Sequence, residues 1–233
     1  MAVSVPLAGH ARLRLNSRSG KITVWCEARP DLSIERGASS RDDVVEEDGQ
    51  LVLTNRSGSI EVRCPEGTDL TLGTVSGHID VHGRAGAVVA SATSGSIRIA
   101  RALTADLRSV SGSVKLGDSA GGCRLHTVSG GAAVERTLQA DVGTISGSVH
   151  VGAAGGKVRV KTASGRVEVG ATGPHDVEVH TMSGSVSIRL PRGVSPATKF
   201  KSLSGRFRTD CPEGHDCQVV IRTVSGRAEV VAG

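Results

Sequence analysis

The stretch Ala105-Asp106-Leu107-Arg108-Ser109-Val110-Ser111-Gly112-Ser113-Val114-Lys115-Leu116-Gly117 decides the fold. Apolar and polar residues alternate on both sides of Ser111-Gly112, the period of a half-buried strand. The same Ser-Gly pair recurs eleven times, ending at Gly20, Gly58, Gly77, Gly95, Gly112, Gly130, Gly147, Gly165, Gly184, Gly205 and Gly226. From Gly58 onward the steps are 19, 18, 17, 18, 17, 18, 19, 21 and 21 residues. A fixed period in this range is the mark of one structural unit stacked many times.

Aligning the copies on their glycine gives columns. Two residues after it stand Ile22, Ile60, Ile79, Ile97, Val114, Ala132, Val149, Val167, Val186, Phe207 and Ala228. Four after it stand Val24, Val62, Val81, Ile99, Leu116, Val134, Val151, Val169, Ile188, Thr209 and Val230. Four before the serine the column from the second copy onward runs Leu53, Leu72, Ala90, Leu107, Leu125, Val142, Val160, Val179, Phe200 and Ile221. These are inward ladders, because β-branched side chains pack on the residue above and below in stacked strands. The residue just before the serine is mostly apolar as well (Val75, Val110, Val128, Ile145, Met182, Leu203, Val224). Its odd offset from the inward column places a corner between them, at the Thr or Ser two before the motif serine. A second, Gly-rich turn is expected at segments such as Gly117-Asp118-Ser119-Ala120-Gly121-Gly122.

Strand, corner, strand and turn cannot bury an apolar face alone, but a stack of them can. The expected fold is all-β, a single-stranded β-solenoid of roughly eleven or twelve rungs, on the order of 50 to 60 Å long at about 4.8 Å per rung. Residues 1–50 read as a capping region with irregular first rungs, continuous with a regular solenoid over 51–233. The 38-residue step from Gly20 to Gly58 makes room for an acidic insertion between Arg41 and Gly49. The last rung, near Gly233, is expected to leave a strand edge open and to favour end-to-end association.

Composition narrows the function classes. Only Trp25, Phe200 and Phe207 carry large rings, so the core must be aliphatic and nucleic acid lacks stacking platforms. Net charge is +5, and residues 157–208 hold ten Lys or Arg against three acids. Solubility is the plainer account of that excess; an anionic partner towards the C-terminal end is the functional one. No segment is long and apolar enough to span a membrane as a helix. The first nine residues lack a basic region followed by an apolar run. With five cysteines, an odd number, the expectation is a reduced, cytoplasmic protein, with envelope association as the alternative.

The string Cys64-Pro-Glu-Gly-Thr-Asp-Leu-Thr-Leu-Gly-Thr-Val-Ser-Gly-His-Ile-Asp-Val81, followed by repeated Thr-x-Ser-Gly-x-Val-x-Val, resembles a bacterial β-strand-repeat family of putative adhesins and unknown-function domains. The resemblance extends from about Leu13 to Val230. It implies a right-handed β-helix, a non-enzymatic role and a link with the cell envelope or its stress responses. It supplies no catalytic residues.

Two outward columns carry charge. Five before the serine, Asp106, Arg124, Asp141, Arg159, Glu178 and Lys199 alternate in sign, which suits rung-to-rung pairing. Three before it stand Arg108, His126, Gly143, Lys161, His180, Lys201 and Arg222, with no acid among them. Stacked like charges are destabilising, so this stripe either leans on the acidic column beside it or serves an anionic polymer or surface. Arg108, His126, Lys161, His180, Lys201 and Arg222 are therefore the candidate ligand-binding residues. His78, Asp80 and His82 share one outward face at a spacing that suits a divalent metal, although a solvated polar face explains them more simply. Cys211, His215 and Cys217 invite the same comparison, and Cys123 reads as a small core residue. No catalytic constellation, cofactor motif or phosphate-binding loop is present. The leading reading is a non-catalytic scaffold or binding surface of the adhesin type. A self-assembling β-helical rod is the alternative, and a carbohydrate-active enzyme the remote one.

Overall fold

The computed structural model describes residues 3–6, 12–37, 44–47 and 49–233. All its regular elements are strands: β1 (Val3–Pro6), β2 (Arg12–Ser19), β3 (Ile22–Glu27), β4 (Asp31–Arg36), β5 (Val44–Glu47), β6 (Gln50–Ser57), β7 (Ile60–Pro65), β8 (Asp69–Ser76), β9 (Ile79–Ser94), β10 (Ile97–Ser111), β11 (Val114–Ser129), β12 (Ala132–Ser146), β13 (Val149–Ala154), β14 (Val158–Ala171), β15 (Val177–Leu190), β16 (Pro196–Thr209) and β17 (Cys217–Ala232). The fold is an all-β, single-stranded solenoid in which each coil lies parallel and in register on the next. The chain divides into two compact units, Met1–Ala120 and Gly121–Gly233.

The Ser-Gly glycines stack one above another, and their missing side chain is what lets them. A Cβ on Gly95 would collide with the carbonyl oxygen of Gly77, and one on Gly165 with that of Gly147. The backbone there also takes positive φ, +146° at Gly95 and +138° at Gly165, which side chains rarely allow. The chain turns at this point in every coil, and the three apolar columns face inward on either side of it. Leu53, Leu15, Leu72, Ala90 and Leu107 form one buried ladder in the first unit.

The order of coils is not the order of the chain. β2 and β3 lie between the β6–β7 coil and the β8–β9 coil, since β2 pairs with both β6 and β8 and β3 with both β7 and β9. In the second unit β17 lies between β15 and β16. The chain thus skips one coil position near each end and fills it with a different segment. The irregular steps of the repeat serve this exchange. The Pro65-Glu66-Gly67 turn climbs past the inserted coil, with the Glu66 N–H donating to Glu27 and the Gly67 N–H to Arg84. Around the other exchange, the Ser195 N–H donates to the Asp216 carboxylate at 2.8 Å and the Gln218 N–H to Asp176 at 2.9 Å.

The first unit closes its outer coil with antiparallel strands: β4 against β7, β1 against β4, and β5 against β6. β5 belongs to the expected acidic insertion; residues 38–43 and 48 lie outside the described residues. The open edge of the second unit belongs to β16, not to the last strand as expected, because β17 is interior. β16 pairs only with β17 among the described residues. Its Phe200 and Phe207 stack at 5.1 Å and lie at the ends of the Val179–Ile221 and Val186–Ala228 ladders. The two rings do there what a further aliphatic coil would do elsewhere.

Three local expectations need correction. No corner separates the inward column from the residue before the serine. Strand alternation simply continues, so the hydroxyl residues two before the serine point inward and Thr74, Ser109, Thr144 and Thr181 are buried. Val110, Ile145 and Met182 consequently point outward, with Met182 61% exposed. The Gly-rich second turn is also absent from four coils, including the one at Gly117–Gly122: β9, β10, β11 and β12 run through it unbroken, with a register shift between Ile99 and Arg101. Finally, the sign alternation beyond Glu178 is interrupted, because Val220 of the inserted strand, not Lys199, stands beside Glu178.

The cysteines are buried free thiols. Cys26 and Cys64 face each other in register with sulfurs 3.6 Å apart. That contact, together with burial, pushes the Cys26 thiol well up. Cys123 is a core residue, its thiol raised by burial.

Gly165→Ala should destabilise the second unit by about 3 kcal/mol or more, since it adds a backbone collision to a positive φ. Gly205→Ala, on the open edge, without a positive φ and with its closest approach to the movable Ser202 hydroxyl, should cost clearly less than Gly165→Ala; urea midpoints of the two variants test the difference. Amide exchange should be slow across 217–232 and fast across 196–209, although β17 is nearer the chain end. The reverse order would contradict the exchanged coils.

Candidate functional site

The candidate stripe is brought together in part. Lys161, His180, Arg222 and Lys201 occupy four successive coils of the second unit in exact register, with Arg222 inserted between His180 and Lys201. His126 belongs to the same column, and its ring lies over Gly143, where a Cβ would meet Nδ1 at 2.6 Å. Arg108 lies in the first unit, and its guanidinium is held by Asp106 at 3.1 Å. Glu178, in the neighbouring column, bonds Arg159 at 3.1 Å and His180 at 2.8 Å. His180, then Arg159, hold the Glu178 carboxyl below the usual carboxylate range. Lys161, Arg222 and Lys201 make no ion pair among the described residues.

The proposed metal positions are occupied with other work. His78 Nδ1 bonds Ser96 at 2.8 Å. Asp80 is buried and joins Lys21 at 2.8 Å with Arg98 at 3.2 Å, tying three coils together. His82 stacks on Trp25, which also lies under the Arg63 guanidinium. No cluster of three metal-ligating side chains occurs among the described residues.

A second site was not anticipated. On the outward side of the strands after the Ser-Gly corner, the second unit holds a groove of about 690 Å³. Its floor is β15, where Ser185 and Ser187 are short. One wall is β14, with Arg166 and Glu168; the other is β17, with Arg227 and Glu229. The pairing is in register: Arg166, Ser185 and Arg227 form one row, and Glu168, Ser187 and Glu229 the next. Arg189 closes one end beside Gly152 and Gly170. Those glycines are required by the backbone, since a Cβ on Gly170 would strike the Gly152 carbonyl. Glu168 is engaged by His150 at 3.3 Å and by Arg166 at 3.9 Å. Among the described residues, the guanidinia of Arg189 and Arg227 and the carboxylate of Glu229 make no ion pair. The signal in the sequence was the run of Arg, Glu, Ser and Gly at the odd offsets after the glycine. Sequence order alone sets β16 beside β15, whereas the site exists only because β17 lies there.

Residues 40–132 match the family described as Toastrack DUF4097. No curated protein matches the chain. Among solved structures the chain is similar to a putative adhesin from Bacteroides fragilis, with a TM-score of 0.52 and 10% identity over 99% of this chain and 96% of that one. It is also similar to a putative adhesin from Parabacteroides distasonis (TM-score 0.44, 11% identity, 99% and 96% covered). A putative cell adhesion protein from Clostridium sporogenes gives a TM-score of 0.27 at 11% identity, with 100% and 99% covered. The family match over residues 40–132 fits the resemblance drawn from the repeats. The likeness at 0.52 is one of fold.

Because the Glu178 carboxyl is held low, its contribution to stability is full above the ordinary carboxylate range. It is lost as pH falls through the lowered folded value. The stability gap between the wild type and Glu178→Gln should be present at neutral pH and close in acid. A gap constant across that range, measured by urea unfolding, would refute the pairing.

Proposed function

We propose that this protein is a non-catalytic binding protein of the adhesin type, and that the groove over β15 takes an acidic saccharide polymer. The observation that carries this reading is the pair of unengaged guanidinia, Arg189 and Arg227, beside a floor of serine and glycine. Arginine forks match planar carboxylates in a bidentate fashion. Glu229 and the two serines offer acceptors and donors to hydroxyl groups. No Phe, Tyr or Trp ring lines the groove, and its one imidazole, His150, is engaged by Glu168 at 3.3 Å, so a nucleobase has no free aromatic platform there. The open ends along β15 suit an extended chain better than a small molecule that needs enclosure.

Edge-to-edge polymerisation is the less favoured reading. β16 carries Lys199, Lys201, Arg206 and Arg208 on its exposed edge strand, and two such edges would bring like charges together. A hydrolytic reading draws on Glu168 and Glu229, which face each other across Ser187, as the paired carboxylates of a glycosidase flank a scissile bond.

Calorimetric titration with oligogalacturonate, against neutral dextran fragments of equal length, tests the proposal. Binding should be confined to the acidic oligomer. Arg189→Gln with Arg227→Gln should weaken it by about a hundredfold or more, since each charge-assisted bond is worth about 1.5–3 kcal/mol. Equal binding of both oligomers, or no effect of the double variant, would overturn it. Release of reducing ends during the titration would establish the hydrolytic reading instead.

A further inference from the structure

The residues just before the motif serine form an exposed apolar ridge. In the second unit it comprises Val128, Ile145, Ala163, Met182, Val224 and Leu203, one per coil. Val128 is 43% exposed, Ile145 56%, Val224 45% and Leu203 86%. Soluble proteins scatter exposed apolar side chains; a continuous line of them marks a contact surface. Nothing in the folding of a coil demands it, since the residue two further on, not this one, makes the turn. Its immediate neighbours on the same strands, two residues earlier, are His126, Lys161, His180, Arg222 and Lys201. A basic column and an apolar ridge therefore run side by side across the coils, in register, about 4.8 Å per step.

The occupant must satisfy both lines at once. A soluble polyanion would use the cations and leave the ridge in water. A purely apolar partner would leave unneutralised charge at its rim. We infer that this face docks on an anionic lipid surface, with Ile145, Met182, Val224 and Leu203 entering the headgroup boundary while Lys161, Arg222 and Lys201 meet the headgroup phosphates. The ridge suits a membrane plane because it stands out from the coils, unlike the groove over β15. Leu203, with the cation two residues before it on β16, Lys201, provides the most exposed point of entry. Amphipathic surface helices bind by the same division of labour, apolar insertion beside Lys and Arg. This assignment stands apart from the saccharide groove, which uses other strand faces and other arginines.

Co-sedimentation of the intact protein with phosphatidylcholine vesicles, with and without phosphatidylglycerol, tests it. Binding should require the anionic lipid and weaken as salt rises. Met182→Ser/Val224→Ser/Leu203→Ser should reduce it at least about tenfold, as should Lys161→Gln/Arg222→Gln/Lys201→Gln. These side chains lie outside the core, and unchanged urea midpoints would establish that the variants fold. Arg189→Gln/Arg227→Gln should leave vesicle binding intact. Leu203→Trp should shift its emission to the blue on anionic vesicles and be quenched by brominated acyl chains, after subtraction of the Trp25 signal. Equal binding to neutral vesicles, full binding by the serine triple variant, or an unshifted tryptophan would overturn the inference. So would ridge-dependent dimerisation in solution without vesicle binding.

Discussion

Backbone passing close over backbone at the Ser-Gly corner is the constraint on which the rest depends. Where Gly95 sits over Gly77, and Gly165 over Gly147, no side chain fits between one coil and the carbonyl below. A solenoid can hold a constant cross-section only if each coil turns at the same place. Glycine at that place, with positive φ, sets the turn and the spacing together. The inward columns then fall in register without aromatic residues, because each Val, Ile or Leu packs chiefly on its counterparts above and below. A chain with almost no rings can thus build an extended core from thin aliphatic layers.

The exchange of coils near each end is the second organising feature. A solenoid built strictly in sequence would end on its first and last strands. In the first unit the outer coil is β6–β7, and in the second unit the edge is β16; each is locked by a segment that lies inside it. The consequence is local chemistry. β17 places Arg227 and Glu229 opposite Arg166 and Glu168 across the low serines of β15. β16, displaced to the edge, carries its four cations and two phenylalanines into solvent or against the end of the core. One topological event therefore supplies both a groove wall and a charged edge.

Much of the fold was legible because a repeat is read many times. A single copy of Thr-x-Ser-Gly-x-Val is weak, but columns held over nine steps identify the buried faces, and the burial of Ile79, Val134 and Ile221 agrees with them. Apolar character alone does not establish burial. Val110 and Met182 alternate outward on an uninterrupted strand, and their hydrophobicity belongs to the surface. The site was less legible still. Lys161, His180, Arg222 and Lys201 of the basic column stand in register, but Arg108 belongs to the other unit, and the order of Lys201 and Arg222 is reversed in space.

Sequence alone determined the coil: its period, its inward columns and the glycine at its corner, because these are local requirements repeated in every rung. Tertiary structure decided which coil touches which. Parallel pairing depends only on the match of columns, and every coil presents nearly the same columns, so neighbouring positions accept any of them. The irregular connections at 28–30, 66–68, 191–195 and 210–216 resolve that degeneracy through reach and their own hydrogen bonds. The groove, the exposed edge and the neighbours of every surface charge near the ends follow from that choice.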